Sequence, residues 1–172
     1  QTIQAAEVNL STSAVAADTL YQGTNTNIIY VTKMDVSAMA DVTLNNVQYT
    51  LSGTHDADDL SYTSLYFNAT APVISGATYL GQTVATFAAP HAYSYYINKF
   101  MARGSSGYFI ITANVTSAAT DNKTIRITGA TTPVAFSYTT APNVTNSQNN
   151  GGGTQTIQAA EVNLSTSAVA AD

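Results

Sequence analysis

Residues 1–18, QTIQAAEVNLSTSAVAAD, recur letter for letter as residues 155–172. Any fold must place the same eighteen letters twice, once at each end of the chain. The copies are offset by 154 residues, so the independent content is one unit of that length plus a second copy of its opening. The segment is itself a strand candidate, because Ala6, Val8 and Leu10 alternate against Glu7 and Asn9. Three placements compete. The segment is the first strand of its own sandwich, and the second copy opens the next tandem unit. Or it completes an open sheet edge of a preceding unit, as strand addition does, a donor fused to its own acceptor included. Or the duplication has no structural role. On the first two, Val8, Leu10, Val162 and Leu164 are the side chains expected to enter a core, in the same unit or its neighbour. Both imply a polymer of identical units, and both cover sheet edges that would otherwise template aggregation.

The rest of the chain also repeats every second residue, which means strands. NIIYVTKMDV at Asn27–Val36 alternates cleanly. In residues 42–51 the pattern starts as Val42/Leu44 and resumes as Val47/Tyr49/Leu51, so the phase slip at Asn45-Asn46 predicts a bulge or tight turn. Leu60–Asn68 and residues 91–97, 108–115, 123–128 and 133–138 read as further strands, with a short one at 78–80. Glycines 23, 53, 76, 81, 104, 107 and 129 and the Asp121-Asn122 pair punctuate these runs. Helical spacing is nowhere sustained. The expectation is all-β: an antiparallel, immunoglobulin-like β-sandwich of about seven to nine strands, with a terminal strand exchanged between neighbouring units on the fibre reading. Ile110, Val115, Ile125, Ile127, Val134 and Phe136 are its expected core. Residues 1–142 form the sandwich unit. Residues 143–154, NVTNSQNNGGGT, have little to bury and read as a linker. Residues 155–172 are the donor strand or the start of the next repeat.

Composition narrows the function. Only 9% of residues are charged, against about 25% in an ordinary domain. The chain carries 27 Thr, 15 Ser and 14 Asn instead, about a third of its length. A hydrophobic fraction of 45% is enough for a core. A net charge of −5 with five basic residues argues against nucleic acid, which needs a basic stripe. No apolar run approaches the roughly 20 residues of a membrane-spanning helix, so membrane insertion is not expected. With no cysteine, disulfides and thiolate metal sites are excluded. QTIQAAEV has neither the basic nor the apolar region of a signal peptide, which suggests a mature form or an interior piece of a precursor.

Three runs carry a family resemblance: residues 17–36 (ADTLYQGTNTNIIYVTKMDV), residues 51–68 (LSGTHDADDLSYTSLYFN) and residues 106–127 (SGYFIITANVTSAATDNKTIRI). With Leu20, Gln22, Gly23 and Thr24, then Gly53, Thr54, Ala57, Asp59 and Leu60, then Gly107, Tyr108 and Phe109, the chain resembles β-sandwich repeats of large secreted surface proteins of Bacteroidota and related bacteria. The resemblance spans most of residues 17–140. It implies export and a role in a surface filament or adhesin, and names no ligand.

Few residues suggest a chemical site. Asp56, Asp58 and Asp59 form the one acidic cluster. Alternating loop carboxylates can supply oxygens to Ca²⁺, the one cofactor candidate, but no Gly and Glu follow at helical-loop offsets. A turn stabilised by Asp before the Leu60 strand explains them as well. His55 and His91 are the only histidines, and no Gly-x-Ser-x-Gly elbow accompanies them; both read as surface or strand-end residues. Eleven tyrosines, with Tyr93, Tyr95 and Tyr96 clustered, offer stacking faces for a surface glycan, or else core and subunit contacts. Asp18-Thr19-Leu20 resembles the Bacteroidota O-glycosylation signal, with sugar on Thr19. Sequons stand at Asn9, Asn68, Asn114, Asn122 and Asn143. Lys33, Lys99 and Lys123 are candidates for isopeptide bonds. With no catalytic motif, an enzyme is not expected. The favoured reading is an extracellular, cell-surface structural subunit whose partners are identical units. The alternative is a carbohydrate-binding sandwich, Ca²⁺-dependent if the Asp cluster binds the ion.

Overall fold

The computed structural model, which describes residues 5–129, 132–150 and 153–160, has twelve strands among them. In chain order they are β1 (Glu7–Ser13), β2 (Thr19–Tyr21), β3 (Asn27–Val36), β4 (Val42–Gly53), β5 (Leu60–Asn68), β6 (Thr78–Val84), β7 (His91–Met101), β8 (Ser106–Val115), β9 (Thr124–Thr128), β10 (Val134–Tyr138), β11 (Asn143–Ser147) and β12 (Gln155–Gln158). One sheet runs β11-β1-β3-β8-β5-β6. In the other, β7 lies along one side of β4, and β10 and β9 lie end to end along the opposite side. That sheet continues from β9 to β12 and ends at β2. The chain is an all-β sandwich.

It departs from the expected antiparallel pattern in two places. β1 pairs with β11 in parallel, and β12 pairs with β2 in parallel. Both parallel pairs involve the duplicated segment. The strands also exceed the expected seven to nine, because β2, β11 and β12 are short and weakly apolar. Five residues of the expected linker, Asn143–Ser147, form β11 along the edge of β1.

The sheets meet through their apolar faces. Leu44, Val47 and Leu51 of β4, Leu60 and Leu65 of β5, Phe109 and Ile111 of β8, and Ile125 and Ile127 of β9 are all buried in one cluster. The Phe109 ring meets Phe67 of its own sheet in a tilted contact at 5.2 Å and Phe136 of the opposite sheet edge-to-face at 5.1 Å. The expected core residues take these places: Ile110, Val115, Ile125, Ile127 and Val134 are buried, and Phe136 packs against them half-buried. Ile110 faces outward from the main cluster, and its neighbours on the sheet still cover it. The predicted slip at Asn45-Asn46 is a register shift between Leu44 and Asn46 where β4 meets β7.

A polar seam crosses the core. The Tyr49 hydroxyl donates to Thr63 Oγ1 of the opposite sheet at 2.5 Å and shares a 3.0 Å hydrogen bond with the Tyr95 hydroxyl. Buried hydroxyls need such partners, because leaving one unpaired costs about 1–3 kcal/mol. Burial pushes the Tyr95 phenol up to about 12 and Tyr49 well above its ordinary value, so both stay neutral donors.

Gly53 ends β4 at φ +123°, where a Cβ would lie 2.1 Å from the Thr124 carbonyl oxygen. Gly53→Ala must therefore push β9 away from β4 as well as adopt a strained backbone. The expected cost is about 2 kcal/mol or more, measured as a lower urea midpoint. A midpoint unchanged from the parent chain would contradict this placement.

Candidate functional site

The only duplicated element in the chain is also the one that the two sheets use in two different ways. In the first copy, Glu7–Ser13 is β1. It lies antiparallel to β3, with Val8 opposite Val36 and Leu10 opposite Met34. Val8 and Leu10 are buried in this unit's own core. In the second copy, the strand is Gln155–Gln158, the first four letters of the segment. Val162 and Leu164, the expected core-entering residues of that copy, lie outside the described residues.

β12 occupies a slot between β9 and β2. Its Gln155 and Thr156 stand opposite Ile125 and Thr124 of β9. Thr156, Ile157 and Gln158 stand opposite Thr19, Leu20 and Tyr21 of β2. Main-chain bonds join both walls: Thr156 N to Asp18 O at 2.9 Å, Ile157 N to Lys123 O at 2.8 Å, Asn122 N to Ile157 O at 2.9 Å and Gln22 N to Gln158 O at 3.0 Å. Alternation sends Ile157 inward, fully buried beside Leu20 and Ile125 in the common core. Burial of such a side chain stabilises by about 1.5–3 kcal/mol.

Gln155 also points inward and is 1% exposed. A buried amide needs acceptors. Its Nε2 donates to Ala16 O at 2.9 Å and to Gly153 O at 3.1 Å. Gly153 N in turn donates to Val15 O at 2.7 Å. A Cβ on Gly153 would lie 2.2 Å from Ala17 N, so glycine is required where the chain approaches this wall. Part of the wall, residues 15–18, is the tail of the first copy. The first copy thus receives the second.

The other sequence-predicted residues take structural places. Asp59 is buried and caps a turn: Oδ2 accepts from Asp56 N and Oδ1 from Thr120 N, both at 2.6 Å. Asp56 forms an ion pair with Lys123 at 2.8 Å. Asp58 is exposed, and its carbonyl accepts the Thr116 hydroxyl at 2.7 Å. Among the described residues no three His, Asp or Glu side chains gather into a metal-binding group. Asp56 and Asp59 shape the turn before β5.

The expectation for His55 requires correction; His91 is at a strand end as expected. His55 is 1% exposed, because the loop after β4 folds beneath Ala89, whose amide donates to the His55 carbonyl at 3.1 Å. His91 is half-buried at the start of β7, where its ring stacks on Phe87 at 4.1 Å. The tyrosine cluster splits. Tyr93 and Tyr95 turn into the core against Tyr49, and Tyr96 is 86% exposed on the other face. Alternation within β7 dictates this: Tyr93 and Tyr95, two residues apart, share a face, and Tyr96 takes the other, so the three do not make one stacking platform. Thr19, half-buried, opens β2 opposite Thr156. Asn68 is buried, with its amide bonded to Val73 O and Ser75 O, whereas Asn9, Asn122 and Asn143 are exposed. Lys33 pairs with Asp35 at 2.8 Å, and Lys99 lies 3.9 Å over the Phe67 ring. Of the three candidates for an isopeptide bond with Asn or Asp, Lys33 and Lys123 each face an aspartate carboxylate, and Lys99 faces a ring.

No family model matches this chain, and no curated protein matches it. What the site can do follows from its geometry: it accepts a four-residue strand by backbone pairing on both sides, with one apolar and one amide anchor.

Burial lowers the His55 pKa, and the Thr124 and Phe87 carbonyls with the Asp59 and Asp56 charges only partly offset it. The folded chain therefore holds fewer protons than the unfolded chain below the ordinary histidine value of about 6.5. This contribution to stability is present above that pH and is lost as pH falls through the folded pKa. Tm should drop between pH 7.5 and 5 more steeply in the parent chain than in His55→Gln. Parallel curves would contradict the assignment.

Proposed function

We propose that this chain is a structural unit of an extracellular bacterial surface filament or giant adhesin, joined to identical units through its duplicated segment. One observation carries the reading: the same eighteen letters provide an opening strand at one end of the unit and a closing strand at the other. A unit built this way specifies its successor. Units that contact only their neighbours suit spacing and tension-bearing.

Other features support the reading. The surface is dominated by hydroxyls and amides, and charge is sparse. The chain dispenses with cysteine, so its stability rests on the inter-sheet core and on strand pairing. Burial and strand pairing, rather than a reaction, are its chemistry. The resemblance to Bacteroidota surface repeats, which implies export, supports a place on the cell exterior.

The test is immunogold electron microscopy of intact cells that express the native gene, followed by the denatured mass of sheared material. Labelled filaments or threads with a regular axial step are expected. A mass stepping by one repeat identifies a covalent tandem; a mass of one unit identifies a strand-exchanged polymer. Label that reaches the antigen only after lysis would contradict the proposal.

A further inference from the structure

We propose that the eighteen-residue segment is the seam between consecutive units: its first four residues close the sheet of one copy, and its seventh to thirteenth residues open the sheet of the next. This rests on the polymeric reading above and deepens it by naming the interface. The occupant of the slot between β9 and β2 is QTIQ from a second copy of this chain or from the next repeat.

Each unit has one slot for QTIQ, and here Gln155–Gln158 hold it. The first copy commits Glu7–Ser13 to β1 of its own unit. Residues 1–4 bear the same four letters and so fit the same slot in another copy. The segment also carries its own receptor, since the backbone carbonyls of Val15, Ala16 and Asp18 accept bonds from Gly153, Gln155 and Thr156. Donor, opening strand and acceptor wall thus share one stretch of sequence. A polymer needs all three at every junction.

The geometry of the seam is tight. Only two alanines separate the closing strand from the opening one: Ala159 and Ala160 in the second copy, Ala5 and Ala6 in the first. Three backbone steps span at most about 11 Å, so successive units abut. The junction is fastened at both ends. Ala159 N donates to Asp121 Oδ1 at 3.0 Å, and Ala6 O accepts from Asn143 N at 2.7 Å. Anchors this close to a two-residue connection fix the orientation of one unit on the next. The donor has no charged side chain, so specificity comes from the Gln155 amide and the Ile157 side chain.

The test uses the full chain carrying Ile157→Asp, which places a carboxylate in the apolar pocket of the slot. The vacated slot should then take residues 1–4 of another copy, and sedimentation should show head-to-tail oligomers. Ile3→Asp in the same chain should abolish them. Where the Ile157→Asp chain is too unstable to assemble, with Tm lowered by roughly 10 °C or more, a synthetic QTIQAAEV peptide should restore Tm. A peptide with Asp in place of its isoleucine should not. A stable monomer, oligomers that survive Ile3→Asp, or a destabilised chain that the peptide does not restore would each overturn the seam. Failure here with labelled filaments on cells leaves the polymer standing without this junction. Peptide capture in the absence of surface filaments leaves the junction without the surface role.

Discussion

β12 lies between two strands, so its removal uncovers two edges at once. The right-hand wall, β2, is only three residues long and makes its sheet contacts through β12. The left-hand wall, β9, is pinned to β4 along Thr50–Gly53 and needs β12 on its free side. A four-residue strand therefore decides whether one end of the second sheet exists. Backbone pairing alone is weak for so few residues, with a net gain of about 0.5–1.5 kcal/mol per bond. The buried Ile157 and the doubly bonded Gln155 amide convert it into a specific closure.

The rest of the molecule is arranged to make that slot rigid. β4 is the longest strand, and three others pair with it, which fixes β9 in register through Leu51 opposite Ile127. Gly53 lets Thr124 approach closely, immediately beside the slot. The Asp59 turn reaches across to Thr120, in the middle of the loop that leads into β9. Acid cluster, glycine and salt bridge to Lys123 thus brace one wall. Within the acidic cluster, Asp59 supports the turn by accepting two backbone N–H groups, and Asp56 does so through its ion pair with Lys123.

Much of this was legible in the letters, and the rest was not for identifiable reasons. β3 and β5 have the bounds read from the letters, because long apolar and β-branched runs between turn residues mark a strand even where both faces are covered. The bulge at Asn45-Asn46 follows from a phase slip in the same way. β11 carries one apolar residue among five exposed ones and is held by parallel pairing to β1, a contact distant in sequence. β12 has one apolar residue in four, too few to show a period. The duplication pointed to the right segment, but Val8 and Leu10 drew attention to its middle. The part of the second copy that is seen to close the sheet is its opening tetrapeptide. His55 was misread because a polar residue between Thr54 and Asp56 gives no sign that a neighbouring loop covers it.

The central claim is that Gln155–Gln158 is an interior strand of the folded unit. Native-state hydrogen exchange on the full chain tests it most directly, through the amides of Thr156, Ile157 and Asn122, whose partners are Asp18, Lys123 and Ile157. The account predicts that they exchange together with the amides of β9, at rates set by opening of the whole sheet. Exchange of Thr156 and Ile157 at the rate of a free peptide, with β9 still protected, would contradict it.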